Sequence, residues 1–206
     1  DIHYWIDIAE GQKTGFFLDQ RDNRLLLRTI SSGKHVLNTF CYTGGFSLNA
    51  IMGGAEYVVS IDASKRAMSM LDRNMALNGF DNNKHRSICG DVMEYLKEQN
   101  DEVFDIIVLD PPAFAKNRKK RHQAVQAYKR LNVLGMQKLK PGGILMSFSC
   151  SQVVEEPLFQ HTLVAAGLES EKNFRIVRKL SQGIDHPVHL YHPEGHYLKG
   201  FMLSMD

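Results

Sequence analysis

The 206-residue sequence has few of the residues that mark several classes of protein. It has three cysteines, Cys41, Cys89 and Cys150, which are too few and too widely spaced for a disulfide framework or a paired-cysteine zinc site. We expect Cys41 and Cys89 to be small buried side chains. No apolar run approaches the roughly 18 residues of a membrane helix, and the first residues do not resemble a signal peptide. These absences favour a cytoplasmic protein with reduced thiols and no metal site.

The sequence also lacks the commonest phosphate-binding motifs. It contains no G-x-x-x-x-G-K-[ST] segment, which excludes a P-loop enzyme. The segment Thr43-Gly44-Gly45-Phe46-Ser47 does not supply the G-x-G-x-x-G turn of a nicotinamide-dependent oxidoreductase. The nine histidines include no zinc-binding pair, and those within 186–196 are separated by prolines, so we expect a loop there.

One sign of charge is missing from a long stretch. Between Pro111 and Val154 there is no Asp or Glu, whereas nine of the 25 basic residues lie there. The other 16 basic residues face all 23 acidic ones, so the total of +2 combines +9 here with −7 elsewhere. This stretch favours a polyanion such as RNA, with a solvated basic helix as the alternative. The residues we expect to bind RNA through their charge are Lys116, Arg118, Lys119, Lys120 and Arg121.

From Lys34 onward, apolar runs alternate with helical patterns. The runs predict strands near 35–40, 57–62, 85–89, 104–110, 144–148, 175–180 and 197–205. Such alternation indicates βαβ units and therefore an α/β fold, with a Rossmann-like, mostly parallel seven-stranded sheet whose last strand is antiparallel. With no internal repeat or linker, we expect a single domain over 1–206, with its core at 34–206.

The first 33 residues read as an extension of that core. Tyr4–Ile8 and Thr14–Leu18 alternate like a small β-hairpin, and Arg24–Ile30 has the spacing of a helix laid against the sheet. The first residue is not Met. We therefore expect that either a few processed residues or an entire upstream RNA-binding domain is missing from this chain. The sequence is compatible with a monomer and with a homodimer.

Polar residues follow the first three predicted strands, at the edge where open α/β sheets bind ligands. The paired glycines of the Asn38–Ser47 loop allow close backbone approach, and the helix after them offers N–H groups to a carboxylate. Asp62 is placed to accept the hydroxyls of a ribose, and Asp91 to accept an amine of adenine. An acid at a strand end is also often a helix cap or turn residue. Together the three features match the order of groups in S-adenosylmethionine.

Two further strand ends carry groups suited to chemistry on a nucleobase. After the fourth strand, Pro111 and Pro112 hold the chain extended beside Asp110, and Phe114 can stack on a planar base. The alternative is an ordinary proline-rich loop. After the fifth strand, Cys150 lies between two small serines, where nearby positive charge favours the thiolate. We interpret Cys150 as a nucleophile.

These segments resemble the class I S-adenosylmethionine-dependent RNA methyltransferases, and within them the bacterial 23S rRNA cytosine-C5 methyltransferases that normally carry an N-terminal PUA domain. The resemblance extends over nearly the whole chain. The segments that carry it are Gly11–Arg21, Asn38–Ser47, Asp110–Ala115, Ser149–Ser151, Asp185–Val188 and Tyr197–Gly200. A related guanine-N7 branch has asparagines where this chain has Ser149-Cys150-Ser151, which favours cytosine C5.

The resemblance implies roles for individual residues. Cys150 would add to C6 of the cytosine, and Asp110 would bond its N3/N4 edge. The cofactor-binding residues implied by the resemblance, together with those expected from the strand ends, are Phe17, Arg21, Asn38, Phe40, Thr43, Gly44, Gly45, Asp62, Ser64, Asp91, Val92, Asp110 and Pro111.

The sequence departs from the family pattern in two places. Ala113 and Phe114 stand where many RNA cytosine-C5 methyltransferases carry a second cysteine, so the group that removes the C5 proton stays open. No PUA domain is present. Two other functions stay open as well: methylation of a base nitrogen, such as that of guanine, with Cys150 merely packed, and an RNA-binding module with a vestigial cofactor site.

Overall fold

The computed structural model describes residues 1–9, 11, 15–80, 82–98, 103–115 and 117–206. The helices are α1 (Arg21–Ile30), α2 (Gly45–Met52), α3 (Lys65–Leu77), α4 (Val92–Lys97), α5 (Arg121–Gln137) and α6 (Glu156–Glu169). The strands are β1 (His35–Thr39), β2 (Tyr57–Asp62), β3 (His85–Cys89), β4 (Phe104–Leu109), β5 (Leu139–Ser149), β6 (Phe174–Ser181) and β7 (Lys199–Met205).

The seven strands form one sheet in the order β3-β2-β1-β4-β5-β7-β6. Strands β1 to β5 are parallel, whereas β7 runs antiparallel to both β5 and β6. The predicted α/β fold, with its mostly parallel sheet and antiparallel last strand, is confirmed. From β1 the strand order proceeds to one side of the sheet through β2 and β3, and from β4 it proceeds to the other side through β5. The crevice where such sheets bind ligands therefore lies between the carboxyl ends of β1 and β4.

The central strands are apolar on both faces, as strands covered by helices must be. Val36 and Leu37 are both fully buried, yet they belong to two different core clusters on opposite faces of the sheet. On the face of Leu37, α5 and α6 contribute the rings of Tyr128 and Phe159, which pack edge to face with centroids 5.4 Å apart. On the other face, Leu27 of α1 joins the cluster. The sheet is therefore a fixed platform for its carboxyl-end loops.

The predicted N-terminal β-hairpin is wrong. Tyr4–Ile8 forms no strand, and Thr14, where the second arm was expected to begin, lies outside the described residues. The backbone amides of His3 and Trp5 donate instead to side-chain oxygens of Asn78 and Asn74, at 2.8 and 2.7 Å. The local alternation therefore reflects packing against α3 and the residue after it, not pairing with a second strand.

The Pro141-Gly142-Gly143 segment contains residues that usually interrupt a strand. Helix α5 ends at Gln137, and β5 already begins at Leu139, so the segment lies within β5. The pairing with β4 shifts register across it, and Gly142 has a φ of +74°. The proline and the left-handed glycine are accommodated by a bulge, where ladder hydrogen bonds are interrupted in any case.

Candidate functional site

A cavity of about 720 Å³ opens at the carboxyl ends of the central strands. Its volume lies in the range of small-molecule and cofactor sites. Cys150 lines it, and so do most of the predicted cofactor-binding residues. Those on its wall are Phe17, Phe40, Thr43, Gly45, Asp62, Asp91, Val92, Asp110 and Pro111.

Asp62 and Asp91 act both as turn or cap residues and as parts of the cavity wall. Asp62 accepts hydrogen bonds from the amides of Tyr42 and Ser64, both at 2.9 Å. Asp91 caps α4 by accepting from the amide of Glu94 at 2.9 Å. Each carboxylate has about four lone-pair positions, so acceptor capacity remains for a ligand. The cap interpretation and the binding interpretation are therefore compatible.

The loop after β1 has an unusual backbone. Phe40 and Tyr42 have φ angles of 51° and 48°, in the left-handed region that non-glycine residues seldom adopt. Gly44, with φ 87°, precedes α2, and a Cβ there would lie 2.9 Å from side-chain atoms of both Leu48 and Leu71. Such strain persists where the surrounding structure fixes it and is common at ligand sites. Gly44 thus shapes the loop without lining the cavity.

Thr43, in the same loop, carries a buried hydroxyl. Thr43 lines the cavity, and its Oγ1 is buried without a hydrogen-bond partner among the residues that the structure describes. A buried polar atom without a partner is costly. The hydroxyl is therefore available to a polar group of a ligand.

Arg24 is a cavity residue that the sequence analysis missed. It is buried, its guanidinium lies 4.6 Å from the centre of the Phe16 ring, and it donates to the carbonyl oxygen of Phe17 at 2.6 Å. Burial lowers its pKa, opposed by Asp19 and Asp110. A Cβ on Gly45 would meet the Arg24 side chain at 3.0 Å, so the cation lies at the N-terminus of α2. Cation and helix terminus together suit a carboxylate.

Asp110 is held by a chain of side chains from α1 and the turn before it. Gln20 donates to Asp110 Oδ2 at 3.0 Å, and Asn23 donates to the Gln20 side-chain oxygen at 2.6 Å. Asn23 also donates to the carbonyl oxygen of Ser181, at 3.0 Å. The sequence analysis did not identify Gln20, which is 90 positions away from its partner. The chain fixes the rotamer of the carboxylate at the exit of β4.

Cys150 is half-buried on the cavity wall at the end of β5. Tyr197, also on the wall, donates to Asp19 Oδ2 at 2.6 Å. Burial and the contact with Asp19 raise the pKa of the Tyr197 phenol, so this residue stays protonated at neutral pH. The thiol of Cys150 thus shares the cavity wall with the carboxylates of Asp19 and Asp110 and with the phenol of Tyr197.

Two predicted ligand contacts are not on the cavity wall. The Arg21 guanidinium pairs with Asp22 and Asp185, at 2.9 and 3.0 Å, and so joins the first helix to the loop before β7. The Phe114 ring packs edge-on against Tyr128, with centroids 4.7 Å apart. The sequence did not predict these intramolecular contacts, which pair the Arg21 guanidinium with acids and pack the Phe114 ring within the protein.

Asn38 and Ser64 also have structural roles. Asn38 is buried beneath the cavity and donates to Ser47 Oγ at 2.8 Å. Ser64 caps α3 by accepting from the amide of Ala67 at 3.2 Å. Their positions at strand ends were correctly placed, but their side chains bond to the protein and do not line the cavity.

The basic segment follows the cavity wall within a few residues of Pro112. Arg118–Lys120 forms a short 3-10 turn, Arg121 begins α5, and all four side chains are exposed. None of the four forms an ion pair with any described residue, and Lys116 lies outside the described residues. These cations are therefore available to an external polyanion.

The other two cysteines have different environments. Cys41 is buried, with its sulfur 3.6 Å from that of Met68, and burial raises the pKa of its thiol. Cys89 is exposed, so its prediction as a buried side chain is wrong. It lies on β3, an edge strand of the sheet whose residues are all exposed or half-buried. Cys41 is among the residues that line the cavity, whereas Cys89 is not.

The described ranges lack two features that would add to the site or change its setting. No group of three or more His, Cys, Asp or Glu side chains in those ranges is arranged to hold a metal ion. No helix there combines the length and the apolar character needed to cross a membrane.

Comparisons with known proteins agree on one family. Residues 1–182 match the family of S-adenosylmethionine-dependent methyltransferases. The protein named ribosomal RNA large subunit methyltransferase I from Aeromonas hydrophila is 44% identical over 200 residues, which are 96% of this chain and 50% of that protein. The protein of the same name from Shewanella denitrificans is also 44% identical, over 199 residues. The chain spans about half the length of these curated relatives.

A solved structure supports the same assignment. A methyltransferase from Streptococcus mutans has a TM-score of 0.88 and 28% identity, over 98% of this chain and 53% of that one. A structure with the same scores is described as a complex with S-adenosylhomocysteine, the product left after S-adenosylmethionine donates its methyl group. The chain belongs to the family of S-adenosylmethionine-dependent methyltransferases.

Proposed function

We propose that this protein methylates C5 of a cytosine in ribosomal RNA of the large subunit, through a covalent bond between Cys150 and the base. One observation carries the proposal: Cys150 and Asp110 line the same cavity as the acids placed for ribose and adenine. A nucleophile and a group that can bind the base edge thus share one space with the methyl donor. The names of the curated relatives support the RNA substrate.

The residues of the cavity fit S-adenosylmethionine. Arg24 and the N-terminus of α2 suit the carboxylate of its methionyl part, and the Thr43 hydroxyl, which has no partner among the described residues, offers a further contact there. Asp62 and Asp91 suit the ribose and the adenine. Acids on the wall also suit a positively charged sulfonium. When bound, the cofactor supplies an electrophilic methyl group.

Cys150 supplies the electrons that cytosine C5 lacks. Its thiolate adds to C6, which turns the C5–C6 double bond into an electron-rich enamine that can take the methyl group at C5. Loss of the C5 proton then re-forms the double bond as the C6–S bond breaks, so the thiolate is regenerated. Asp110, held by Gln20, is placed to hydrogen-bond the N3/N4 edge of the base while charge develops there.

The nature of the methylated nucleoside tests the proposal directly. Ribosomal RNA treated with the protein and labelled cofactor is digested to nucleosides, and we expect the label in 5-methylcytidine. Label in a methylated guanosine or adenosine would overturn the assignment of the atom. RNA containing 5-fluorocytidine is the matched probe, because it has no C5 proton to lose and should remain covalently attached to Cys150.

Exposed Lys119 and Lys120 are expected to contact RNA phosphates. We predict that reversing both charges, Lys119→Glu with Lys120→Glu, weakens RNA binding at least about tenfold near 0.15 M salt. Each lost phosphate contact should also lower the slope of the logarithm of the binding constant against the logarithm of the salt concentration by about 0.7–0.9, because fewer counterions are released. Binding is measured by fluorescence anisotropy over a salt series. Lys34→Glu with Lys84→Glu is the control, since these residues precede β1 and β3, at the amino ends of strands whose carboxyl ends face the cavity. Equal losses in both pairs would assign the effect to net charge alone.

Thr43→Val should separate cofactor binding from stability. The change keeps the shape and removes a hydroxyl that has no partner among the described residues, so the free energy of unfolding should stay equal or rise. Cofactor affinity should fall about fivefold to tenfold, as expected for one lost hydrogen bond. Urea unfolding and calorimetric titration measure the two quantities. Unchanged affinity would remove Thr43 from the binding site.

A further inference from the structure

Lys199 is a buried charged residue that the proposed reaction has not used. It is the first residue of β7, and it is 4% exposed. Burying an ammonium group is expensive unless its environment compensates, so a buried lysine calls for a specific reason. The Tyr197–Gly200 segment that contains it also belongs to the part of the sequence that resembles the family.

Lys199 contacts the residues that precede and follow Cys150 in the sequence. In the antiparallel pairing of β5 with β7, Lys199 lies opposite Ser149, the residue before the thiol. Its Nζ donates to the carbonyl oxygen of Ser151, the residue after the thiol, at 2.7 Å. The ammonium group therefore lies against the turn that carries Cys150, on the protein side of the cavity wall.

We propose that Lys199 is a positioning residue that stabilises the thiolate of Cys150 with its buried positive charge. The proposal rests on the function proposed for Cys150 as a nucleophile. A buried cation acts strongly on a nearby thiolate, because little water screens the pair. The carbonyl of Ser151 gives the ammonium one hydrogen bond and leaves two N–H groups for other acceptors.

The other titratable groups that interact with the thiol do not supply this charge, and the Arg24 cation on the same cavity wall lies at the N-terminus of α2, where it is proposed to pair with the cofactor carboxylate. The phenols of Tyr128 on α5 and Tyr197 before β7 interact with Cys150, but burial raises the pKa of both, so both are neutral at pH 7. Burial lowers the pKa of Lys199, and Cys150 opposes that effect. The acids in the surroundings are Asp19 and Asp110 on the cavity wall and, near Lys199 at the start of α6, Glu155 and Glu156.

The experiment measures how fast iodoacetamide alkylates Cys150 as a function of pH. Cys89→Ser removes the exposed thiol from the background, and peptide mass spectrometry reads Cys150 separately from buried Cys41. We expect an apparent pKa below the ordinary thiol value of about 8.5. Lys199→Met should raise it by about one pH unit or more, which means about tenfold less thiolate at pH 7. Lys199→Arg, which keeps the charge, should leave the apparent pKa of Cys150 close to its value in the parent protein.

A further variant, Lys199→Gln, and the absence of RNA from the assay allow the result to be interpreted without ambiguity. Lys199→Gln retains a donor for Ser151 without the charge, so it tests the same prediction if Lys199→Met does not fold, as judged by circular dichroism and cofactor binding. Equal apparent pKa values in Lys199→Gln and Lys199→Arg would overturn the proposal. The assay contains no RNA, so it stands apart from the nucleoside analysis: label in a guanosine with an intact shift would refute the function alone, and label in 5-methylcytidine without the shift would refute Lys199 alone.

Discussion

Cys150→Ala is expected to lower the rate of methyl transfer at least about 10³-fold, while cofactor affinity stays within about threefold. Removal of a covalent nucleophile costs factors of this size or more, because the remaining groups cannot replace the bond it forms. The affinity should persist because the residues proposed to hold the cofactor, Arg24, Asp62 and Asp91, lie on other elements of the wall. Single-turnover methylation of RNA and calorimetric titration give the two values.

Cys89→Ala is the matched control. It removes an exposed thiol that does not line the cavity, and its activity should equal that of the parent protein. Cys150→Ser should behave like the alanine variant, because a hydroxyl is a much weaker nucleophile near pH 7. Full activity in either Cys150 variant would leave the thiol as a packing group and favour methylation of a base nitrogen.

The stability of the protein should fall steeply between pH 6.5 and pH 4 because of His85. This side chain is held neutral: burial lowers its pKa from 6.5 to about 4, against a smaller opposing effect of Asp72. As the pH falls through this window, His85 becomes protonated in the unfolded chain but stays neutral in the native protein. The free energy of unfolding therefore decreases, by about 3 kcal/mol over the whole window, and the loss is complete below the folded pKa.

Urea unfolding at pH 7.5 and pH 4.5, in the parent and in His85→Gln, checks this prediction. Glutamine does not titrate and can still bond Ser60, whose Oγ lies 2.8 Å from His85 Nε2. The parent should lose about 2–3 kcal/mol more than the variant between the two pH values. Titration of the other groups contributes equally to both proteins and cancels. The same loss in both would show that His85 protonates as easily in the native state as in the unfolded chain.

The sheet and the position of the cavity were predictable from the sequence. Buried strands such as Val36–Leu37 and Ile106–Ile107 are continuous apolar runs, and glycine or acid residues stop them at defined points. Because parallel strands place their carboxyl ends at one edge, Asp62, Asp91 and Asp110 had to meet there. The same argument placed Cys150, which comes directly after β5.

The residues that were missed depend on long-range packing. Arg24 lies one helical turn before Leu27 in a helix that was predicted to lie against the sheet, but the spacing does not show that a charged side chain in its first turn is buried in the cavity wall. Gln20 and Tyr197 acquire their roles from partners 90 and 178 positions away. The N-terminal hairpin failed for the same reason, since Asn74 and Asn78 provide acceptors that no local pattern reveals.

The place of β7 has a consequence for how the protein is made. This strand follows β5 and β6 in the sequence, yet it lies between them in the sheet, and Tyr197 just before it bonds to Asp19, which is 178 positions away. During synthesis from the N-terminus, β5 and β6 therefore lack their shared neighbour until β7 has emerged from the ribosome. The cavity wall is completed only at that point, so a nascent chain should acquire its affinity for the cofactor only after β7 has been translated.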